Sequence, residues 1–199
     1  MNFLAHAYLS FEIPEILVGN LISDFVKGKR KFDYPLPIQQ GITIHRAIDE
    51  FTDTHPNTLK AKSFFSAAYG LYSGAFMDIV YDHFLANDRL QFSDDNALIA
   101  FAAKTYDQLS PFIHLCPDKF QLVFRHMVKQ DWLSNYRFKQ GINNSFAGLV
   151  HRAVYMHDHH EAFRIFETNY SELGAHYRIF FPDLKKFVRE KLNQLNDPL

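Results

Sequence analysis

The sequence has almost no cysteine, no long apolar run and almost no net charge, and each shortage excludes a class of protein. A single cysteine, Cys116, excludes a disulfide framework and a thiolate-rich zinc site. None of the apolar runs approaches the roughly 18 residues that a membrane-spanning helix needs. A formal net charge of −1 disfavours a general nucleic-acid binder, whose affinity comes from neutralising phosphates.

The first residues also lack the features of a signal peptide, because the segment Met1–His6 has neither a basic region nor a long apolar stretch. We therefore expect a cytoplasmic protein. Apolar residues make up 47% and charged residues 22% of the chain, which excludes a disordered protein. A chain of 199 residues buries roughly 70% of its unfolded surface. No linker-like stretch divides it, so we expect one domain over residues 1–199.

Apolar residues recur at intervals of three and four nearly throughout the chain, which is the pattern of amphipathic helices. No segment shows the two-residue alternation of strands joined by hairpins. The sequence therefore predicts an all-α bundle of eight or nine helices around one core. The predicted helices run from after residue 14 to about 27, then over 38–54, 57–68, 74–87, 94–109, 117–136, 141–156, 158–173 and 182–195.

Polar residues interrupt the apolar pattern on three of the predicted helices, always one helical turn apart. Residues four positions apart lie on the same face of a helix. A histidine and a carboxylate spaced in this way hold a cation when neighbouring helices supply further ligands. Two carboxylates one turn apart repel each other unless a cation or a proton lies between them. The residues concerned are Asn20 and Asp24 on the first helix, His45, Asp49 and Asp53 on the second, and Asp78 and Asp82 on the fourth.

The ligand types in this pattern indicate which cation to expect. Carboxylates with one or two imidazoles and no sulfur favour Mn²⁺ or Mg²⁺ over Zn²⁺. Such a cation generates a hydroxide nucleophile near neutral pH and neutralises a phosphoryl oxygen. The pattern thus predicts metal-assisted phosphoester hydrolysis. Any one of these aspartates alone is more often a solvated surface group, so the prediction depends on the three helices together.

Other ionisable residues allow two interpretations each. His6 either packs at the edge of the core or reaches the site, and Arg46 is either a phosphate-binding group or a surface arginine. In the tract 157–160 we interpret Asp158 as a helix cap, because adjacent helical residues do not face one another. A basic run either receives an acidic protein surface or is a solvated helix end. This basic run consists of Lys27, Lys29, Arg30 and Lys31.

Four motifs in the first 90 residues resemble the acyl carrier protein phosphodiesterase family, also called acyl carrier protein hydrolase. The motifs match in their order and spacing, and the rest of the chain is similar in length and helical character. They are MNFLAH (Met1–His6), GNLISDFVKG (Gly19–Gly28), GITIHRAID (Gly41–Asp49) with Thr52 and Asp53, and MDIVYDHFL (Met77–Leu85).

The resemblance implies a fold, a reaction and a set of site residues. The family removes 4′-phosphopantetheine from holo acyl carrier protein by hydrolysing the phosphodiester to its serine. It depends on a divalent cation, of which Mn²⁺ is the expected one and Mg²⁺ the alternative. It is a divergent relative of the all-helical HD-domain phosphohydrolases. The matching motif lacks their adjacent His-Asp pair, because Arg46 follows His45, and Asp49 would have to substitute. The adjacent pair His157-Asp158 lies outside the matching motifs. The implied metal ligands are Asp24, His45, Asp49, Asp78 and Asp82, and the implied neighbours are His6, Arg46, Asp53 and His83.

The implied mechanism assigns a role to each neighbour of the metal. Asp53 helps to deprotonate the attacking water, Arg46 stabilises charge on the phosphate, and His6 or His83 protonates the departing serine oxygen. Two other hypotheses stay open from the sequence. One is a metal phosphohydrolase that acts on nucleotides or small phosphoesters. The other is a helical binding protein whose polar residues only satisfy one another.

Overall fold

The computed structural model describes residues 1–153 and 158–196, and most of these residues are helical, with no β-strand among them. The all-α fold expected from the periodicity is confirmed. Short 3₁₀ segments at Ser23–Phe25, Gly28–Asp33, Gly70–Tyr72 and Ser110–Leu115 join several of the helices. The α-helices are α1 (Phe3–Tyr8), α2 (Pro14–Ile22), α3 (Leu36–Thr54), α4 (Pro56–Tyr69), α5 (Ser73–Ala86), α6 (Asp95–Leu109), α7 (Asp118–Lys129), α8 (Trp132–Asn135), α9 (Lys139–Arg152), α10 (His160–Thr168) and α11 (Tyr170–Asn196).

The predicted helices correspond to α2 through α6 within a few residues, but the expected number of eight or nine is wrong. The described residues contain eleven α-helices. The short α1 was not predicted, and the helix predicted over 117–136 is divided into α7 and α8. Asp131 lies between those two with φ 45° and ψ 57°, a left-handed conformation that ends a right-handed helix. The helix predicted over 141–156 reaches residues that lie outside the described part of the chain.

Pro182 is a second correction, because it lies inside α11 instead of starting a helix. A proline inside a helix removes one backbone hydrogen bond and crowds the preceding turn. The neighbouring Phe180, Phe181 and Leu184 are at most 1% exposed and anchor this part of α11 in the core. Burial of three large apolar side chains, each worth roughly 1.5–3 kcal/mol, outweighs that cost.

The closest helix pair is α2 and α3, and two glycines allow it. A Cβ on Gly19 would fall on the Ile38 carbonyl oxygen and would lie 2.8 Å from the Gly41 Cα. Real Cβ atoms do not approach other atoms this closely, so the two backbones touch only because both residues lack a side chain. This contact places Asn20, one residue after Gly19, against the turn of α3 that carries His45.

A single large apolar core holds the helices together. It includes buried aromatic side chains from most of the longer helices, among them Phe65, Phe76, Tyr81, Phe146 and Phe180. The C-terminal α11 packs on α3, α4 and α5, while α1 packs between α2 and α5. Among the described residues, no helix is both long enough and apolar enough to cross a bilayer.

Candidate metal centre

Two histidines and two aspartates from three segments meet where α1 and the turn after α2 pack against the middle of α3. His6 comes from α1, Asp24 from the 3₁₀ turn after α2, and His45 and Asp49 from one face of α3. His6, His45 and Asp49 each offer a ligand atom, and these atoms lie within 4.8 Å of one another. Asp24 joins them through its Oδ1, 3.2 Å from His45 Nε2. We call these four residues the His–Asp cluster.

Asn20 determines which ring nitrogen of each histidine carries a hydrogen. Its main-chain carbonyl oxygen lies 2.7 Å from His45 Nδ1, and its side-chain Oδ1 lies 2.8 Å from His6 Nδ1. The side-chain amide of Asn20 is oriented by its other end, because Nδ2 donates to the His6 carbonyl and to the Ser10 hydroxyl. Carbonyl oxygens only accept, so both Nδ1 atoms donate and both Nε2 atoms are left for another partner.

Both Nε2 atoms point at oxygen atoms that cannot donate a hydrogen bond. His45 Nε2 lies 3.2 Å from Asp24 Oδ1 and 3.0 Å from Asp49 Oδ2. His6 Nε2 lies 3.3 Å from Asp49 Oδ1 and 3.1 Å from the Met1 carbonyl oxygen. A nitrogen lone pair and carboxylate oxygens repel at these distances unless positive charge lies between them. The positive charge must come from protons on the imidazoles or from a bound cation.

The stacking of the two rings favours a single cation over two protons. The His6 and His45 ring centroids are 4.0 Å apart and their planes differ by 16°. Two imidazolium rings at that separation would repel each other. Burial lowers the pKa of His6, and the charge of His45 lowers it further. The donor set of imidazole nitrogens and carboxylates therefore fits a divalent cation, and the Nδ1 bonds to Asn20 are the type that hold ligating histidines in place.

The pKa values of His45, Asp24 and Asp49 are also shifted by the contacts among them. Burial lowers the pKa of His45, but hydrogen bonds from its ring to Asp24 and Asp49 outweigh burial and raise the pKa to about 9. The hydrogen bond from His45 holds the pKa of Asp24 below its usual value. Burial acts to raise the pKa of Asp49, yet hydrogen bonds from His45 and His6 hold it far below its usual range. Both carboxylates are therefore ionised at neutral pH.

Asp78 lies next to the cluster and is connected to it through the N-terminal amine. The Met1 nitrogen is 2.8 Å from Asp78 Oδ1 and 3.5 Å from Asp49 Oδ1. Burial lowers the pKa of this amine, but the charges of Asp78 and Asp49 raise it to about 10. The amine is therefore a cation that balances both carboxylates. Of the predicted ligands, Asp24, His45, Asp49 and Asp78 come together in this region.

Asp82 has a different environment from the one its predicted ligand role requires. Its Oδ2 accepts the Leu4 N–H at 2.8 Å, and its Oδ1 accepts the N–H groups of Asn2 and Ala5 at 3.3 Å. It is not among the groups that meet in the His–Asp cluster. These bonds satisfy backbone donors that the start of a helix leaves unpaired. Asp82 thus anchors α1, the helix that carries His6.

The remaining predicted neighbours occupy three separate places. Asp53 lies one turn beyond Asp49 on α3, exposed and paired with Lys62 at 3.0 Å. Arg46 is exposed and donates to the Val26 carbonyl at 3.4 Å. His83 is buried elsewhere, with Nδ1 2.7 Å from the Tyr136 carbonyl and Nε2 2.9 Å from the Tyr170 hydroxyl.

Asn20 belongs to the polar pattern of the first helix, one turn before Asp24, but it is not among the predicted ligands or their neighbours. The available signal was that spacing within the GNLISDFVKG motif. At the second histidine tract the N-cap of α10 is His159, one residue after the predicted Asp158. Asp158 Oδ1 nevertheless accepts the His160 backbone N–H at 2.8 Å, at the start of that helix. His157 lies outside the described residues.

The fold and the cluster define an all-helical protein with a centre of buried histidines and solvent-facing carboxylates suited to a divalent cation. A family model described as acyl carrier protein phosphodiesterase matches residues 1–184. The chain belongs to the acyl carrier protein phosphodiesterase family, as its four motifs predict.

Curated relatives agree with this assignment over nearly the whole chain. The protein named acyl carrier protein phosphodiesterase from Photorhabdus laumondii is 31% identical over 191 residues, 96% of each chain. Its namesake from Yersinia pestis is 31% identical over 96% of this chain and 99% of its own. The one from Serratia proteamaculans is 30% identical with the same coverage. No solved structure matches, so the relationship to HD-domain proteins stays a prediction.

Proposed function

We propose that this protein hydrolyses the phosphodiester of holo acyl carrier protein and releases 4′-phosphopantetheine with the help of a divalent cation. The observation that carries the proposal is the arrangement around Asn20. Both histidines of the cluster donate through Nδ1 to this one residue, and both turn their Nε2 atoms toward carboxylates. The names of the curated relatives supply the substrate class.

The residues that would hold the cation are His6, His45, Asp24 and Asp49, with Asp78 next to them. When bound, a divalent cation lowers the pKa of water and withdraws charge from a phosphoryl oxygen. The oxygen-rich donor set favours Mn²⁺, with Mg²⁺ as the alternative. Of the alternatives that the sequence left open for His6, we choose the ligand role, because its Nε2 faces Asp49 inside the cluster.

We propose separate roles in the hydrolysis for Asp53 and Arg46. The oxygen of water attacks phosphorus, the bond from phosphorus to the serine oxygen breaks, and the proton that the water releases is passed on to the serine oxygen. Asp53 is the carboxylate proposed to accept the proton of the attacking water, once it separates from Lys62. Arg46 is the group proposed to bind phosphate oxygens, because its guanidinium is exposed and has only one long bond, to Val26. His83 has no part in this step, since buried groups contact both of its ring nitrogens.

A protein substrate requires a docking surface, and the basic run is our candidate. Lys27, Lys29 and Arg30 are exposed, and this segment follows Asp24 directly in the chain. Acyl carrier proteins are acidic, so opposite charges steer the two surfaces together. Such an encounter takes place in the cytoplasm, the location that we propose and one in which a lone thiol such as Cys116 stays reduced.

The test follows the intact mass of holo acyl carrier protein incubated with the enzyme and Mn²⁺. We expect loss of the phosphopantetheine mass, and EDTA should abolish it. Asp49→Asn should remove the activity together with Mn²⁺ binding. The matched control is Asp183→Asn, which alters a histidine–aspartate pair on the surface, where Asp183 Oδ2 lies 3.4 Å from His55 Nε2. This control should retain both properties.

The result that contradicts the proposal is unchanged carrier protein with a folded enzyme and any of several divalent cations. Hydrolysis of nucleotides or small phosphoesters under the same conditions would favour the small-substrate alternative. An enzyme that binds no cation at all would favour a helical binding protein whose polar groups satisfy one another.

A further inference from the structure

A cavity of about 890 Å³ opens directly beside the His–Asp cluster. It lies between the two 3₁₀ turns that follow α2 and the segment that joins α6 to α7. Asp24 belongs to both places, because its Oδ1 contacts His45 Nε2 while its side chain is 78% exposed and lines the cavity. The volume falls within the range of roughly 300–1,000 Å³ that is typical of small-molecule sites. We call this space the Asp24 cavity.

We propose that the Asp24 cavity receives the pantetheine arm of the substrate while the phosphodiester lies at the His–Asp cluster. The inference rests on the proposed function and deepens it by assigning the arm to a named set of residues.

The connectivity of the substrate is the first argument. The reacting phosphorus carries two substituents, a serine on a folded carrier protein and a slender, flexible arm. A folded protein stays outside, so only the arm can enter a recess that begins at Asp24. Arg46 stands at the same boundary, since it donates to the carbonyl of Val26, a residue that lines the cavity.

The chemistry of the lining is the second argument. The arm alternates apolar parts, a gem-dimethyl group and short methylene chains, with two amides and a hydroxyl. The cavity likewise combines apolar Phe25, Val26, Leu115 and Pro117 with the polar side chains of Tyr34 and Asp118. Six of the lining residues are charged, namely Asp24, Lys27, Arg30, Asp33, Asp118 and Lys119. The wall therefore offers both apolar contacts and hydrogen-bonding partners, which are the two kinds of contact that the arm can make.

The position of the basic run is the third argument. Lys27 and Arg30 belong to this run and also line the cavity. A carrier protein that docks on the basic run would therefore present its serine at the rim of the cavity. From there the phosphate reaches Asp24 and the arm extends past Val26. Docking, arm insertion and reaction then use one continuous surface.

The test fills the cavity with a larger side chain and measures binding apart from catalysis. Leu115→Trp places an indole in the cavity, at a residue that is 42% exposed and tolerates added volume. The matched control is Leu122→Trp on α7, at a leucine that is 56% exposed and does not line the cavity. The binding probe is pantetheine without its phosphate, titrated calorimetrically into metal-free protein.

We expect pantetheine to bind the wild-type protein and the Leu122→Trp control, and to bind Leu115→Trp at least tenfold more weakly. The KM for holo acyl carrier protein should rise by a similar factor in Leu115→Trp. This rise in KM should exceed the rise measured with bis(p-nitrophenyl) phosphate, a diester that has no arm. Thermal melting of both variants checks that they are folded.

The outcomes separate this inference from the proposed function. If the wild-type enzyme cleaves holo carrier protein and Leu115→Trp does so with the same KM, the function stands and the cavity assignment is wrong. If the enzyme does not cleave carrier protein, the pantetheine titration still decides. Binding that Leu115→Trp weakens supports the assignment, and no binding to the wild-type protein overturns it.

Discussion

Gly19 on α2 and Gly41 on α3 bring the backbones of their helices into direct contact. A Cβ on Gly41 would lie 2.9 Å from the Gly19 Cα and 3.0 Å from the Asn20 nitrogen. The His–Asp cluster lies just beyond this contact, with His45 one turn after Gly41 and Asp24 in the 3₁₀ turn that follows α2. The separation of two helix backbones therefore determines whether Asn20 reaches both histidines.

The first prediction concerns Gly41→Ala, which forces the two helices apart. We expect the free energy of unfolding to fall by about 2–4 kcal/mol, because both contacting atoms belong to backbone that cannot move aside. Urea denaturation measures the loss. The control is Gly148→Ala in α9, where a Cβ meets only the end of the Arg152 side chain at 3.8 Å. That variant should be unchanged or more stable by up to about 1 kcal/mol. If Gly41→Ala were as stable as Gly148→Ala, the backbones of α2 and α3 would not touch at Gly41.

The second prediction concerns Asn20→Leu, which removes the side-chain acceptor of His6 Nδ1. We expect Mn²⁺ affinity to fall by about 10- to 100-fold, as is typical when a ligating histidine loses its hydrogen-bond partner. Electron paramagnetic resonance of free Mn²⁺ measures the affinity. Asn144→Leu, on the exposed face of α9, is the control and should bind like the wild-type protein.

Because Asn20 is fully buried, Asn20→Leu also changes the stability of the fold, and a second, milder variant is needed. Asn20→Asp keeps an acceptor oxygen for His6 and should retain more of the affinity than Asn20→Leu. If both variants fold and bind Mn²⁺ as tightly as the wild-type protein, Asn20 does not orient the histidines.

The third prediction distinguishes the capping role of Asp82 from a ligand role. Asp82→Ala leaves three backbone N–H groups of the first helix without their buried partner. We expect a loss of about 2–4 kcal/mol in the free energy of unfolding. Asp107→Ala, at an exposed position of α6, should change stability by less than about 0.5 kcal/mol. A loss for Asp82→Ala as small as that of the control would contradict the capping role.

The fourth prediction is a dependence of stability on pH through His83. Burial lowers the pKa of His83 to about 4, from 6.5 for an unperturbed imidazole. The unfolded chain therefore binds a proton below pH 6.5, while the folded chain binds it only near pH 4. The stabilisation is fully present above pH 6.5 and is lost as the pH falls through about 4. The total is about 3 kcal/mol, at 1.36 kcal/mol for each pKa unit.

Urea denaturation of the wild-type protein and of His83→Phe at pH 7.5 and pH 4 measures how much His83 contributes to the pH dependence of the free energy of unfolding. The drop in stability between the two pH values should be smaller in His83→Phe by about 3 kcal/mol. An identical drop in both proteins would show that His83 does not titrate as its burial requires.

The fifth prediction concerns docking, and it uses the two lysines of the basic run that do not line the Asp24 cavity. In the double variant Lys29→Glu and Lys31→Glu, we expect the KM for holo carrier protein to rise about tenfold at low salt. The rise should shrink at high salt, because salt screens charge steering. Lys186→Glu, on the exposed face of α11, is the control and should leave the KM unchanged. Equal KM values at low salt would exclude the basic run as the docking surface.

The sequence alone was enough for the helical class and for most of the helix boundaries. Apolar spacing sets which face of a helix is buried, and proline and capping residues act within a single turn. Local information failed at Pro182, where core packing of neighbouring aromatics holds α11 together across a helix breaker. It also failed at α1, a six-residue helix that depends on the distant carboxylate of Asp82.

For the site, the sequence determined the candidate ligands and the family, since both depend on residue types at fixed spacings. Only the tertiary structure decided which candidates meet. Asp24, His45 and Asp49 come together because two glycines let α2 and α3 touch, whereas Asp82, with an equally suggestive spacing, faces the start of α1. A helical turn determines which residues share a face, and only the packing of one helix on another determines what that face meets.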